Sequence, residues 1–378
     1  MKIGLVCPYN IFKSGGVQEC VLALQSELSN RGHEVYIISP RPKVLPEQVP
    51  DNILMLGISR DIKSPLHTTT QVSVSVDMTS VDEVLERYDF DILHFHEPWV
   101  PLVSRQILSR SKAKNIATFH AKLPDTVMSR SLEKIITPYT KSVLKDLDLL
   151  TAVSDAGADY VKSLSGNAIT IIPNGIDTKK YTRSTGTTSK SKIIDNAILY
   201  IGRLEKRKGV KYLIKAFALV FRSNPSARLI IAGDGPDRSK LEQYVIDKEI
   251  EGIEFMGYIN EDTKLDLLSK CRVFCSPAVY GESFGIVLLE AMSMGMPIVA
   301  GNNPGYASVM KETGRLSLVN PRDISELANR LQLFLEDEAL REIWKDWAKK
   351  YVSNFDYTKV VDQYENVYAN LLKTDAQA

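Results

Sequence analysis

The sequence predicts an α/β protein built from two Rossmann-like domains, and three observations carry that expectation. Strand-like and helix-like segments alternate from residue 1, the pattern of a parallel sheet covered by helices on both faces. The alternation runs twice, with a polar, hydrophobic-poor stretch at 178–192 between the rounds. At 378 residues the chain also exceeds what one ordinary core sustains. The expected domains are 1–177 and 178–355.

In chain order, 3–7 is apolar and reads as the first strand. Ser14-Gly15-Gly16-Val17-Gln18 leads into a helix carrying Val21, Leu22, Leu24 and Leu28, which Gly32 ends before a strand at 35–38. Paired glycines alone mark a turn. Gly15-Gly16, however, follows the carboxyl end of the first strand, where open α/β sheets bind ligands and where missing side chains let backbone approach them. Residues 60–80 are polar, with a Val72-x-Val74-x-Val76 alternation suited to an edge strand. Strand 91–98 carries His96 and Glu97 at its end, and strand 115–120 ends in His120. A lone histidine is ordinarily a structural hydrogen-bonder. Two of them closing strands at the ligand edge read equally well as site residues, His96 more as structure or acceptor lining. Segments 148–154 and 169–177 complete the round, with Asn174-Gly175 as a turn.

The second round opens with a strand at 197–203. A basic run, 203–208, then enters a helix with Leu213, Ala216, Phe217 and Val220. Such a run is ordinarily a solvated face. Here Arg203 ends a strand at the ligand edge and Lys208 precedes the glycine that opens the helix. Residues 228–236 form a strand and turn whose Gly233-Asp234-Gly235 is a weak nucleotide fingerprint, because Pro236 and Asp237 open the next helix. Another strand and loop span 253–261, and 271–276 reads as a short buried strand. Next comes 281–292, Gly-Glu-Ser-Phe-Gly-Ile-Val-Leu-Leu-Glu-Ala-Met, a loop turning on Gly281 and a helix with Ile286, Leu289 and Met292 at helical spacing. Strand, glycine loop and helix start make an anion site, since the first helical N–H groups lack partners and carry partial positive charge. Glu282 lies in the loop and Glu290 two turns in. Either alone is equally a first-turn acid or a solvated helix residue. Together they suit a phosphate with hydroxyl-rich groups on both sides, a nucleotide sugar. Residues 297–300 form a further strand with a closing loop at 301–305. The tail from Trp344 through Tyr351, Val360, Tyr364 and Tyr368 is amphipathic and largely helical.

Composition narrows the partners. A net charge of +1 with 25% charged and 44% hydrophobic residues argues against nucleic acid or another polyelectrolyte. The apolar start is too short for a signal peptide, and no run approaches the ~20 apolar residues of a membrane span. Cys7, Cys20, Cys271 and Cys275 suit a reducing cytosol, so a cytoplasmic location is expected. Cys271-x3-Cys275 has no nearby partner ligands. Asp89-x-Asp91 and Asp146-x-Asp148 each only introduce a strand. No metal or other cofactor is expected.

The Glu-x7-Glu stretch, Gly202-Arg203-Leu204-x-x-x-Lys208-Gly209, Ala117-Thr118-Phe119-His120 and Ile172-Pro173-Asn174-Gly175-Ile176-Asp177 resemble the signatures of the retaining two-domain (GT-B) glycosyltransferases of family 4. The resemblance runs from residue 1 to about 370. It implies two facing Rossmann-like domains with an interdomain cleft as active site, and a last helix, about 356–378, crossing back to the first domain. It also implies retention of anomeric configuration by a front-face route, in which the leaving phosphate helps deprotonate the acceptor. The pattern is most similar to a branch that moves mannose from GDP-mannose to the inositol ring of a lipid at the inner membrane face. A UDP-sugar with a soluble acceptor, and a nucleotide-sugar-binding protein without turnover, stay open as alternatives.

Carried over onto this chain, the resemblance has Gly16 contact phosphate and acceptor, with Gly15, Gln18 and His96 lining the acceptor and His120 facing the donor sugar. Arg203 and Lys208 hold the diphosphate and stabilise the charge that grows on it. Glu282 takes the sugar hydroxyls, Phe284 and Gly285 the phosphates through backbone N–H groups, with Ser283 and Ile286 in the same donor-binding turn. Glu290 takes the ribose, and Ile259, Glu261 and Lys264 lie at the nucleobase. In that branch the helix before the His-Glu-Pro strand is basic and meets anionic lipid. Residues 80–88 here are acidic and would be repelled by such a surface, leaving Arg105, Arg110, Lys112 and Lys114 as substitutes.

Overall fold

The computed structural model describes residues 1–13, 15–63, 69–75, 77–100, 103–121, 127–166, 168–181 and 194–375. It divides the chain into two compact units, Met1–Gly175 with Tyr357–Ala378, and Ile176–Asp356. Each is a Rossmann-like α/β unit on a mostly parallel sheet.

Among the described residues, the first unit's sheet runs β4-β3-β2-β1-β5-β6-β7-β8. The strands are β1 Lys2–Val6, β2 Glu34–Arg41, β3 Ile53–Lys63, β4 Thr69–Ser75, β5 Ile92–His96, β6 Lys114–Phe119, β7 Leu149–Ala152 and β8 Ile169–Ile171. Pairing is parallel except at the edge, where β4 runs antiparallel to β3. Val76, expected in that edge strand, lies outside the described residues. β1 pairs Ile3 with Val35 on one side and with Ile92 on the other, and all of β5 is buried. That burial takes in His94 and His96 along with the apolar Ile92, Leu93 and Phe95. Helix Gly16–Asn30 buries Cys20, Val21, Leu24 and Leu28, whereas Leu22, expected with them, is 41% exposed. One residue further along a helix is a turn of about 100°, which carries position 22 off the core face.

The tail is two helices, Glu338–Val352 and Tyr357–Asp375, broken by a 3-10 turn at Ser353–Phe355. Trp344 is buried in the second unit. The last helix returns to the first unit, where Val360, Val361, Tyr364 and Tyr368 share one core with Ile3, Leu5, Val21, Leu24 and Leu28. Its outer face is tied down by Arg31, which donates to Asp362 Oδ1 (2.7 Å), to Glu365 and to the Thr358 carbonyl (2.7 Å). No helix of the described residues is long and apolar enough to cross a membrane.

The second unit's sheet runs β11-β10-β9-β12-β13-β14, all parallel: β9 Ala197–Ile201, β10 Arg228–Ala232, β11 Ile253–Gly257, β12 Val273–Ser276, β13 Ile298–Gly301 and β14 Leu318–Val319. Gly233 (φ 144°) lets β10 leave past the end of β9, since a Cβ there would sit 1.9 Å from the Gly202 carbonyl oxygen. This packing accounts for the Gly-x-Gly without a nucleotide. In both sheets the strand order reverses beside a central strand, between β1 and β5 and between β9 and β12. Loops leaving the carboxyl ends at such a point splay apart and leave room for a ligand.

Because Tyr368 fills the first core and its hydroxyl lies 2.7 Å from His94 Nδ1, Tyr368→Ala should destabilise that unit by about 3–5 kcal/mol. Urea unfolding followed by tryptophan and tyrosine fluorescence measures it. A loss under about 1 kcal/mol would show that the last helix is a surface attachment.

Candidate active site

At the β9/β12 reversal the second unit gathers five charged side chains. β9 ends at Ile201 and the chain passes Arg203 and Glu205 into a 3-10 turn, Lys206–Lys208. Gly209 follows at φ 72°, with the Pro277 carbonyl where its Cβ would stand (2.0 Å), so this loop lies directly against the exit of β12. A backbone bond from Val279 N–H to the Arg207 carbonyl (2.8 Å) pins the two together. The Glu205 carboxylate, 6% exposed, takes Arg207 Nε at 2.9 Å on Oε2, while Arg203 Nε lies 2.8 Å from Oε1. Glu282 Oε1 takes Arg207 Nη1 at 2.6 Å and Lys208 Nζ at 2.8 Å. Burial pulls the Arg207 guanidinium down, and Glu282 and Glu205 more than offset it, so its pKa rises above the ordinary value.

The loop from Glu282 runs into helix Ile286–Ser293, capped by Gly285 in a left-handed conformation (φ 108°) with no side-chain cap on its amides. Gly285 is required by contact as well as by φ, since a Cβ would stand 2.7 Å from the Tyr306 ring. Phe284 is buried and meets Phe355 edge-on at 5.9 Å, fixing the turn from its apolar side while Ser283 and Ile286 stay half-buried. Glu290 is buried, so the solvated-helix alternative does not hold. Tyr181 Oη (2.9 Å) and Lys264 Nζ (2.8 Å) both donate to its Oε1. Lys264 also pairs with Glu261 Oε2 at 2.9 Å, and Lys180 with Glu261 Oε1 at 2.6 Å. Ile259 is half-buried just before Asn260, which caps helix Glu261–Lys270.

In the first unit, His96 Nδ1 and His120 Nε2 face each other at 2.9 Å, and His96 Nε2 is buried without a partner among the described residues. Gly15, Gly16 and Gln18 open the helix that delivers Cys20 beside them. Cys20, His96 and His120 each offer one ligand-type atom within 4.8 Å of the others. Gln18 Nε2 donates to the Asn10 carbonyl at 3.4 Å. Glu97, wholly buried at φ 52°, accepts from the His120 N–H at 2.5 Å and from Trp99 Nε1. Burial pushes Glu97 up to about 7, against the pull of the His120 amide and of Trp99.

The structure thus brings Arg203, Lys208 and Glu282 into one network, Glu261, Lys264 and Glu290 into a second, and Gly15, Gly16, Gln18, His96 and His120 to one edge of the first sheet. Sequence reasoning missed Arg207, Glu205 and Tyr181. Arg207 was indistinguishable from its exposed neighbour Lys206 in a basic run, and nothing local marks a pairing with a carboxylate 75 positions away. Of the basic positions proposed for lipid, Arg105 pairs with Asp146 (2.5 Å), Arg110 with Asp82 (2.7 Å) and Lys114 with Asp148 (3.7 Å).

Two Rossmann-like units, the second with cations gathered at its strand reversal, are the architecture of the GT-B class of glycosyltransferases. Comparison with known proteins makes this specific. The model of the glycosyl transferases group 1 matches residues 188–351, and that of glycosyltransferase family 4 matches 14–180. The chain is 30% identical to phosphatidyl-myo-inositol mannosyltransferase of Mycolicibacterium smegmatis, over 97% of this chain and 93% of that one. It is 27% identical to N-acetyl-alpha-D-glucosaminyl L-malate synthase of Bacillus anthracis, over 99% and 98%. Sucrose-phosphate synthase of Thermosynechococcus elongatus shares the fold, with a TM-score of 0.75 at 21% identity over 99% of both chains. The chain belongs to the family 4 glycosyltransferases.

The buried imidazoles carry a pH dependence. Burial lowers His94 to about 3 and His120 to about 4, from 6.5. Between the folded and unfolded values only the unfolded chain takes up these protons, so their stabilisation is present above pH 6.5 and lost as pH falls. Glu97 works oppositely: folded, it keeps a proton between 4.5 and about 7 that the unfolded chain gives up, so its contribution falls as pH rises through that window. Acidification from 6.5 to 5 should therefore lower stability on balance. His94→Gln should reduce that slope by about one proton, ~1.4 kcal/mol per pH unit. Urea unfolding at stepped pH checks it, and an unaltered slope refutes it.

Proposed function

We propose that this glycosyltransferase moves mannose from GDP-mannose to an inositol-type acceptor with retention of configuration. The observation that carries the donor half is the set Arg203, Arg207 and Lys208 held by Glu205 and Glu282 beside an uncapped helix start. Three cations less two carboxylates leave one positive charge, in a corner where most of these side chains are shielded from water. That positive charge and the uncapped amides of the helix start together face the two negative charges of a sugar-linked diphosphate. As the bond from C1 of the sugar to the β-phosphate oxygen breaks, charge grows on that phosphate, and fixed cations stabilise the change without reorganising. Before that bond breaks, as the donor binds, Glu282 exchanges its ammonium partner for sugar hydroxyls and Lys208 turns to the phosphate. The acceptor oxygen bonds to C1 on the face the phosphate leaves, and its proton passes to a phosphate oxygen. The reading assigns His120 to the transferred sugar. With its pKa lowered to about 4, it meets a hydroxyl as a neutral imidazole. No metal is needed in this reading, because the three cations take that part.

The mannosyl and inositol assignments are supported by the 30% identical relative and its printed name. A second reading, a UDP-sugar and a soluble acceptor, draws on the malate synthase relative and on the acid-paired basic residues near the acidic helix Met78–Tyr88. In the first reading the protein works at the inner face of a membrane from the cytoplasm; in the second it needs no membrane contact.

Two measurements decide. GDP at a hundred times its Kd should add about 2.7 kcal/mol of stability and UDP little, and the reverse order selects the second reading. Arg203, half exposed, can be removed without unfolding the site, so Arg203→Ala should fold normally and lose about 100-fold or more in transfer. Glu282→Ala should lose a similar factor. Wild-type turnover in either would remove the site assignment.

A further inference from the structure

The carboxylate of Glu290 is held in an unusual way. Among the described residues two donors reach it, the Tyr181 hydroxyl at 2.9 Å and Lys264 Nζ at 2.8 Å, and they converge on the same oxygen, Oε1. A carboxylate offers about two lone-pair sites per oxygen. With Oε1 doubly used, the plane of the group is set and Oε2 has a defined direction. Behind this pair stands a chain of charges, Lys264 to Glu261 Oε2 at 2.9 Å and Glu261 Oε1 to Lys180 at 2.6 Å. Tyr181 is 4% exposed, with the Lys180 and Lys264 ammonium groups 5.8 and 6.0 Å from its ring centroid. Buried Glu290 therefore meets the Lys264 ammonium through one oxygen and leaves the other directed to accept from hydroxyls.

We propose that Tyr181 is a positioning residue of the donor site: its hydroxyl, with Lys264, locks the Glu290 carboxylate so that Oε2 meets the vicinal hydroxyls of the nucleotide's ribose. The inference rests on the nucleotide-sugar reading above and adds to it a residue that no ligand need touch. Tyr181→Phe keeps the ring and its burial and removes one donor. Lys264 alone can then draw either oxygen, the carboxylate recovers its freedom of rotation, and part of its preorganisation is lost. The loss should appear only where ribose hydroxyls are present.

The test is calorimetric titration of the full chain with GDP and UDP and with their 2′,3′-dideoxy forms. Ribose is common to both bases, so the outcome does not depend on which base fits. Wild type should bind the preferred ribonucleotide well above its dideoxy form. Tyr181→Phe should weaken the ribonucleotide about tenfold and leave the dideoxy form unchanged, with KM for the donor rising and kcat little altered. Equal weakening of both forms, or an unchanged ratio between them, overturns the role of Tyr181 while Glu290 keeps its own. Wild-type protein that binds neither nucleotide, or does not distinguish the two sugars, overturns the ribose assignment and this role with it.

Discussion

A shielded carboxylate must find its cations, and two such acids organise the second unit's ligand edge. Glu205 is almost wholly shielded and Glu282 nearly so, with side chains 6% and 11% exposed. Leaving either unpaired would cost several kcal/mol. Arg207 answers both, and through it the loop after β9 is fixed to the loop after β12. The local backbone follows from that demand: Gly209 must pass the Pro277 carbonyl, and Gly285 the Tyr306 ring. A cation cluster built this way is ordered before any ligand arrives. A site that must stabilise charge appearing on a leaving group needs that order, since reorganising dipoles during reaction would consume much of the gain.

The first unit solves a different problem. Its ligand-edge histidines are kept neutral by burial, and their hydrogen bonds come from remote parts of the chain. His94 lies between Thr118 on β6 (2.6 Å) and Tyr368 on the last helix (2.7 Å), and Tyr364 also meets Thr118 (3.2 Å). The end of the chain is therefore part of the scaffold under His96 and His120. Glu97, bent into a left-handed conformation, ties the exit of β5 to that of β6 through the His120 amide.

Much of the fold was legible. Central parallel strands such as β9 and β12 are buried on both faces, so their apolar runs stand out, and strand–loop–helix order placed Arg203, Glu282 and His120 at carboxyl ends. β3 and β14 were not read: the first mixes polar and apolar residues beside an edge, and the second has only two residues. The break at Ser353–Phe355 falls just ahead of residue 356, where the resemblance starts the last helix; amphipathic periodicity alone runs across it with only a change of phase. Val72 and Val74 did mark the edge strand β4.

By itself the sequence determined that two rounds of alternating elements would form parallel sheets, and where each would present its loops, because periodicity and glycine placement are local properties. Tertiary structure decided which charges meet. Arg207 rather than Lys206 faces Glu282, Tyr181 reaches Glu290 across 109 positions, and the closing helix fills the core beside β1. Such pairings depend on how strands stack and where buried acids must be neutralised, which no spacing along the chain records.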